Sequence, residues 1–547
     1  LEPALEKLRQ QIKDPDFIKQ IAKRLLLNNK HRITLVLSPD RELSGERVAR
    51  EQEKLKAIKE SLDDAQKQAI VDQAAALQAR QEQVDDISIL PKVGIDDIPR
   101  DIPRFSPSIH GEVPHQHTAY AQGTNGLSYQ QVIAPLPALS MAQTDLLPLY
   151  NAVLTEVGVG KDDYLQTQQR HAREVGSISS MSSMRANIDD AQTLQGYLIT
   201  SSKALARNAR AQAQLMRDTC EQARFDELPR LKDLVSQIRA RKEQALVSNG
   251  HILAMTAASA GMSPLAAINH RLGGLASVQT IRTLDQALNN DASLADFAQS
   301  LHDLHHYLQN TPRQWLTITS PDMLEDLIRE VDGVWQGAQG SDVHTNFAPE
   351  KISAQIQQLW LTNTQVNFCA RAYPTVSGEH PDAAALSVLG GVLRNGFLHR
   401  AIREQGGAYG GGASQDTSIA AFKFFSYRDP RLTDTLSDFD KAIAWVLEEV
   451  PGAQAIEEAV LGVISAMDKP GSPAGEAKQD FYNRLFGRSY EHRLRYRERV
   501  LAVTGADLQR VASTYLRPEN ASTAIITNSA TYQENKTLLE ALDCIEL

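Results

Sequence analysis

Between residues 403 and 413 the chain reads Arg403-Glu404-Gln405-Gly406-Gly407-Ala408-Tyr409-Gly410-Gly411-Gly412-Ala413. Glycine weakens the interior of a helix or a strand, so five glycines within seven positions need a structural reason. The run predicts a tight turn, or a strand that another backbone approaches closely. Beside such a surface the arginine and the tyrosine could bind a peptide or an anion. The alternative is a flexible loop with two surface side chains.

The residues before this run predict where its side chains lie. Val392, Leu398 and Ile402 follow helical spacing, which places Arg403 near the end of a helix. We expect the glycines to end that helix and to start a strand. Across such a turn Arg403 and Tyr409 could face one cleft. There the arginine could hold a carboxylate or a carbonyl of a bound peptide, and the tyrosine could hydrogen-bond an oxyanion.

An internal repeat of about 230 to 240 residues relates this run to an earlier one. Residues 173–179 read Arg-Glu-Val-Gly-Ser-Ile-Ser and align with residues 403–409. In each copy a predicted strand, 127–134 or 365–374, comes before a helix and the Arg-Glu-x-Gly sequence. Chance similarity between amphipathic segments is the alternative.

The opening of the chain echoes its end. A predicted helix at 14–28 and a buried-type strand at 33–37 have the layout of the predicted helix 505–515 and strand 523–527. We therefore expect the first 40 residues to be the tail of a further copy that lies mostly outside this sequence.

Residues 44–84 differ in composition from their surroundings, being dense in Glu, Lys, Gln and Ala. Ser61-Leu62-Asp63-Asp64 resembles a helix-start signal, so two helices, 45–60 and 62–84, are predicted to form a hairpin. A coiled coil is the alternative, although its heptads are few and irregular. Four prolines between 88 and 107 then predict a stiff, extended connector.

Each copy mixes strands with long helices, which are predicted at 187–218, 227–259 and 432–450. This order predicts an α+β fold with two related domains, each an antiparallel-rich sheet with helices packed on one face, preceded by a helical-hairpin linker. The predicted limits are 1–40 for the tail of a missing upstream domain, 41–107 for the hairpin and connector, 108–335 for one domain and 336–547 for the next.

Composition narrows the classes of partner. The 547 residues carry a net charge of −10, which argues against nucleic acid and anionic membranes as main partners. No apolar run reaches the roughly 18 residues that span a bilayer, and the sequence predicts a soluble protein. Three widely separated cysteines give neither a disulfide framework nor a zinc cluster.

The common zinc-peptidase motifs are absent from the sequence, which has neither His-Glu-x-x-His nor the inverted His-x-x-Glu-His. The nearest string, residues 302–306, reads His-Asp-Leu-His-His and has a histidine where the inverted motif requires glutamate, so an ordinary amphipathic helix is predicted. His251 has no second ligand nearby, and the pair His115 and His117 has no third. The chain is therefore predicted to bind no metal and to lack a complete catalytic centre.

The chain resembles the C-terminal half of a member of the pitrilysin/insulinase family of zinc peptidases. The resemblance rests on Asp14–Asp40, the charged segment 44–84, Val175–Ser179, Gly250–Gly274 and above all Arg403–Gly411. It implies four related α+β domains in the full-length protein, two per half, which close like a clamshell around a peptide chamber. The zinc motif belongs to the first domain, which this chain does not contain.

By motif, Arg403 and Tyr409 are the arginine and tyrosine that the second half contributes, and Gly406, Gly407 and Gly410 are expected to bind substrate. Ser179 stands where the later copy has Tyr409, so no catalytic role is assigned to the earlier copy.

The resemblance implies a zinc endopeptidase that degrades unstructured peptides. Zinc is held by the N-terminal half, the chain's expected partner, and the chain alone is expected to be inactive. The alternatives are a non-catalytic subunit of a two-chain processing enzyme and a peptide-binding scaffold. The resemblance implies an organelle matrix for eukaryotic relatives and the cytoplasm for a bacterial protein.

Overall fold

The computed structural model describes residues 2–38, 40, 42–82, 89, 91–338, 340–341 and 345–547. The chain divides into two compact units, Leu1–Lys92 and Val93–Leu547. The predicted connector between 88 and 107 therefore lies partly outside the described residues.

The first unit consists of helices α1 (Glu2–Gln11), α2 (Phe17–Ala22, continued by a π-helical turn at Lys23–Leu27), α3 (Leu43–Ser61) and α4 (Asp64–Glu82). The last two confirm the helices predicted in the charged segment. Asp63 caps α4, since its side chain accepts from the Gln66 N–H at 2.8 Å while the Gln66 side chain accepts from the Asp63 N–H at 3.0 Å.

The strand predicted at residues 33–37 is wrong for this structure. The segment is irregular and its apolar side chains are in solvent, with Ile33 91% and Leu37 86% exposed. A strand requires a hydrogen-bonding neighbour, and no strand among the described residues pairs with this segment. Its sequence has the apolar, β-branched character of a strand, but this chain does not provide the pairing.

The second unit contains two six-stranded sheets. The first has the spatial order β1-β2-β6-β3-β5-β4. Its strands are β1 (Ser108–His110), β2 (His117–Ala121), β3 (Leu127–Pro135), β4 (Ser177–Ala186), β5 (Leu194–Leu205) and β6 (Gln314–Thr319). The accompanying helices are α5 (Met141–Val153), α6 (Tyr164–Glu174), α7 (Ala209–Gln222), α8 (Leu228–Ser248), α9 (Gly250–Ala258), α10 (Pro264–Gly273), α11 (Ala276–Ala287), α12 (Asp291–Gln309) and α13 (Leu324–Trp335).

The second sheet has the order β12-β7-β11-β8-β10-β9. Its strands are β7 (Gln357–Leu361), β8 (Phe368–Pro374), β9 (Gly410–Asp416), β10 (Ala421–Tyr427), β11 (Ser522–Thr527) and β12 (Asp543–Glu546). The accompanying helices are α14 (Ala383–Leu393, continued by a π-helical segment at Arg394–Gln405), α15 (Thr433–Glu448), α16 (Ala453–Asp468), α17 (Pro473–Leu485), α18 (Tyr490–Leu501), α19 (Gly505–Tyr515), α20 (Ser529–Glu534) and α21 (Lys536–Leu539).

The two sheets share one topology, which confirms the internal repeat. In the first, β6 lies between β2, to which it is parallel, and β3, to which it is antiparallel. In the second, β11 lies in the same way between β7 and β8. The strands β4 and β9, which follow the two aligned Arg-Glu sequences, are both edge strands. The sheets differ at the other edge, where β1 is antiparallel and β12 parallel to its neighbour.

Two of the three predicted long helices need correction. Residues 194–205 form strand β5, so the helix predicted at 187–218 is only α7. Alternate side chains along much of β5 are buried, and both neighbouring strands pair with it, which overrides the helical composition around it. The helix predicted at 227–259 breaks at Asn249 into α8 and α9. The third, at 432–450, is confirmed as α15.

Both faces of the second sheet are buried. Cys369 and Ile525 pack into the cluster that includes α14, whereas their neighbours Phe368 and Ile526 pack into the cluster that includes α9. Because successive strand residues point to opposite faces, helix α9 of the first copy covers the face of the second sheet that α14 leaves open. This packing brings the start of α9 beside β10.

Candidate functional site

The glycine run forms the predicted turn from helix to strand. The helix ends at Gln405, and Gly407 adopts a left-handed φ of +77°. In that conformation the Gly407 N–H donates to the Arg403 carbonyl at 3.1 Å and the Ala408 N–H to the Ile402 carbonyl at 3.1 Å. A side chain at this φ would be strained, so glycine is the residue that lets the chain reverse and start β9.

Gly406 has a packing reason of its own. A Cβ atom there would lie 2.0 Å from Nη2 of Arg431 and 2.5 Å from the Ile402 carbonyl oxygen. The same Nη2 donates to Asp438 at 3.0 Å and to the Ala401 carbonyl at 3.2 Å. Arg431 thus connects the end of the helix to α15. It can lie there only because residue 406 has no side chain. Substrate contact by Gly406 and Gly407 stays a prediction.

Arg403 lies in the last turn of the π-helical segment and is exposed. Its Nη1 lies 3.5 Å from Nε2 of His399, whose Nδ1 lies 3.3 Å from the Glu404 carboxylate. Among the described residues no carboxylate forms an ion pair with Arg403. The guanidinium therefore presents unused donors to a bound carboxylate or carbonyl.

Tyr409 lies on the other side of the turn, immediately before β9, and is 68% exposed. Its N–H donates to the Tyr427 carbonyl at 3.0 Å, and its ring stands at 89° to the Tyr427 ring with 5.5 Å between centroids. The backbone and the ring are therefore held, while the side chain remains open to solvent. This arrangement suits a hydroxyl that donates to a ligand.

The Tyr427 ring contacts His251, a neighbour that the sequence did not predict. The His251 ring lies 4.5 Å from the Tyr427 ring, and the Tyr427 hydroxyl donates to the Ser248 carbonyl at 3.3 Å. Burial lowers the pKa of His251, so the imidazole is neutral at neutral pH. These contacts join residues far apart in sequence through the packing of α9, and no local signal reveals them.

The strand after Tyr409 has a free edge. β9 pairs with β10 on one side, and no other described strand pairs with it on the other. Nothing lies within 4 Å of a Cβ placed on Gly410, the first residue of the strand. An extended peptide can add to such an edge through backbone hydrogen bonds.

The three histidines of α12 lie in different surroundings. His302 and His306 lie one turn apart with 4.7 Å between their rings, whereas His305 is buried and bonds the Tyr150 hydroxyl at 2.9 Å. Burial lowers the pKa of His305 to about 4.

His117 is also buried, with its two ring nitrogens on Asp332 at 2.7 Å and Thr317 at 3.1 Å. Within the described part of the chain, no group of three or more His, Cys, Asp or Glu residues is placed to hold a metal ion. No helix in the described ranges is both long and apolar enough to cross a membrane.

The earlier copy has the same order of helix and edge strand, but its turn and its surface differ. Arg173 lies near the end of α6 and pairs with Glu174 at 2.9 Å. Ser179 occupies the edge strand β4, at the position that aligns with Tyr409. Only the later copy therefore combines an arginine free of carboxylate partners with a tyrosine.

Two protein families match separate parts of this chain. A family of domains associated with the C subgroup of the M16 peptidases matches residues 37–284, and the family described as "PreP C-terminal domain" matches residues 357–527. Mitochondrial presequence proteases are 29% identical in Danio rerio, over 541 residues, and 29% identical in Yarrowia lipolytica, over 525 residues. Each match covers 94% of this chain and 52% of the relative, so the chain spans about half the length of these relatives.

Solved structures share the fold. An inactive M16 peptidase domain from Pseudomonas fluorescens aligns with a TM-score of 0.54 and 15% identity, over 78% of this chain and 98% of that one. The periplasmic protease PqqL from Escherichia coli aligns with a TM-score of 0.51 and 14% identity, over 86% of this chain and 51% of that one.

The chain belongs to the M16, or pitrilysin/insulinase, family of peptidases. Within the family, the chain corresponds to the C-terminal half of the presequence proteases.

Proposed function

We propose that this chain is the substrate-binding half of a clamshell zinc endopeptidase that degrades unstructured peptides. The observation that carries the proposal is the turn at Gly406-Gly407. It presents Arg403, which has no carboxylate partner among the described residues, on one side and an exposed Tyr409 on the other. Arg403 lies in the last turn of the preceding helix, and Tyr409 directly precedes a strand with a free edge.

Each part of this surface has a role in the proposal. The guanidinium of Arg403 binds a carbonyl or a carboxylate of the peptide. The hydroxyl of Tyr409 donates to the oxygen that becomes negative when the peptide carbonyl is attacked. The free edge of β9 holds the peptide extended, because backbone pairing is independent of side-chain sequence. Such binding suits unstructured peptides of varied sequence.

Zinc enters the proposal through the family, and the described residues do not fit it. The buried histidines His117 and His305 have protein partners, and no cluster of metal-ligand type exists in the described ranges. We therefore assign zinc to the N-terminal half of the full-length protein. On this proposal the chain alone binds peptides without cleaving them.

The N-terminal half is also the proposed partner of the opening segment. Leu25, Leu26 and Leu27 at the end of α2 are exposed, as are the apolar residues 33–37. The helix-then-strand order repeats that of α12 with β6 and α19 with β11. In both of those cases the strand is inserted into the middle of a sheet. We propose that residues 33–37 complete a sheet of the N-terminal half in the same way.

Reconstitution tests the proposed function. The chain is mixed, or joined, with the N-terminal half of the same protein and zinc, and cleavage of an unstructured fluorogenic peptide is followed. We expect cleavage in the combination, loss of cleavage with a chelator, and none with this chain alone. Cleavage by the isolated chain would contradict the assignment of the catalytic centre, and so would an inactive but correctly assembled combination.

A further inference from the structure

A cavity of about 220 Å³ lies where the ends of the two edge strands approach the helices of the second copy. Its wall is built from the end of β4, the β9–β10 turn, the end of α16, and α17 and α18. The polar residues that matter here are Asn187, Ser418, Asn483, Arg488 and Arg493. Neither Arg403 nor Tyr409 lines it.

Two guanidinium groups of this wall form no hydrogen bond or ion pair within the described part of the chain. Arg488, in the link between α17 and α18, and Arg493, on α18, line the cavity, and neither makes a side-chain hydrogen bond or ion pair with any described residue. Both are partly buried. Burial lowers the pKa of Arg488, which reflects the cost of holding its charge away from water.

The neighbouring carboxylates are already used. Asp468, the one acidic residue among those that line the cavity, pairs with the buried Arg497. Asp416 lies close enough to act on Arg488, but it pairs with Lys423 at 2.8 Å. Glu379, outside the wall, is shared by His492 and Arg495 on α18.

A third arginine adds to the positive charge. Arg185 lies over the Phe486 ring at 4.8 Å, close enough to Arg488 for their charges to repel. Arg185 also makes no ion pair with any described residue. Like charges that form no ion pair are unfavourable in a partly buried site, and a bound anion would relieve this cost.

We propose that this cavity binds a small anion carrying a phosphate or carboxylate group. Arg488 and Arg493 supply the charge, and planar guanidinium groups match both phosphate and carboxylate oxygens. The side chains of Asn187 and Asn483 add neutral donors at the wall. The volume lies below the roughly 300–1,000 Å³ of pockets for drug-sized ligands, so the ligand is small.

Binding to the whole chain tests this site with inorganic phosphate and with citrate as probes. Calorimetry and thermal unfolding are measured at constant ionic strength, with sodium chloride as the reference salt. We expect saturable binding and a rise in Tm with at least one probe. Response to phosphate alone identifies a phosphate ligand, and response to citrate alone identifies a carboxylate ligand. No saturable response to either probe would overturn the proposal.

Variants locate the binding. Arg488→Gln and Arg493→Gln should each weaken binding of the active probe by at least about tenfold, on the scale of one lost charge-assisted hydrogen bond. Arg207→Gln, which removes an exposed charge that does not line the cavity, should bind as the wild type does. If Arg488→Gln does not fold, Arg493→Gln decides alone. Wild-type affinity in the folded cavity variants would refute the site. These measurements involve no peptide cleavage, so their outcome does not depend on the proposed peptidase function.

Discussion

The ring of Tyr409 stands perpendicular to the ring of Tyr427, and the backbone N–H of Tyr409 donates to the Tyr427 carbonyl. An exposed tyrosine is thus fixed at two points by a residue of the neighbouring strand. Tyr427 in turn contacts His251 of the first copy. The candidate site is therefore supported by both copies of the repeat.

The hydroxyl of Tyr409 is the first group to test. Tyr409→Phe keeps the ring against Tyr427 and removes only the donor. In the reconstituted enzyme we expect kcat/KM to fall by at least about tenfold, the scale of one lost transition-state hydrogen bond. The Tm should not change, because the hydroxyl is in solvent. An unchanged kcat/KM would remove Tyr409 from the site.

Arg403 is tested against its counterpart in the repeat. Arg403→Ala should lower kcat/KM by at least about tenfold, since a charge-assisted contact to the peptide is lost. Arg173→Ala removes an exposed arginine at the equivalent place in the earlier copy and should leave kcat/KM within about twofold, because no tyrosine accompanies it. Equal losses in the two variants would contradict the assignment to the later copy.

Tyr427 is expected to act through Tyr409. Tyr427→Phe keeps the perpendicular ring and loses only the bond to Ser248, so activity should stay near wild type. Tyr427→Leu removes the ring that orients Tyr409 and should lower kcat by about three- to tenfold, with KM little changed. The combination with Tyr409→Phe should show no further loss. Additive losses in that double variant would show that Tyr427 acts independently.

Gly406 offers a test of stability. Gly406→Ala forces a Cβ against Arg431 and the Ile402 carbonyl, which should cost about 1–3 kcal/mol of unfolding free energy in urea. Gly410→Ala is the matched control, because nothing lies within 4 Å of its Cβ. It should be neutral in stability. Similar stability of the two variants would show that Arg431 moves aside at no cost.

His305 predicts a pH dependence of stability. Its pKa is lowered to about 4 in the folded chain, from about 6.5 in a free side chain, so the unfolded chain binds this proton more readily. The contribution of His305 to the free energy of unfolding is therefore fully present above pH 6.5. It should be lost as pH falls toward 4, at roughly 1.4 kcal/mol per pH unit. Urea unfolding from pH 4.5 to 7 should show a shallower dependence of the unfolding free energy on pH in His305→Gln than in the wild type. Equal slopes would show that other groups carry the effect.

Local pattern sufficed for some features and not for others. The turn between Ile402 and Gly410 was predictable because helical spacing, a glycine run and a strand follow one another within a few residues. The irregular structure of residues 33–37 was not predictable from their sequence, because a strand exists only where another strand pairs with it. Residues 194–205 were assigned to a helix because the neighbours that hold them as a strand, β3 and β4, come from elsewhere in the chain.

The contacts that support the candidate site could likewise not be predicted from the sequence. His251 carries no motif, and its contact with Tyr427 depends on α9 crossing to the second sheet. The cavity at Arg488 and Arg493 could not be predicted either, because an arginine without a carboxylate partner can be recognised only once the positions of its neighbours are known.

The position of α9 has a consequence for how the protein can be divided. A fragment beginning at residue 336 would lack α9 and would leave the apolar side chains Phe368, Ala370, Ala372, Ala524 and Ile526 uncovered on one side of its sheet. Such a fragment should aggregate rather than behave as an autonomous module. The two copies share one strand topology, yet they should melt together in a single calorimetric transition and should not be exchangeable one at a time.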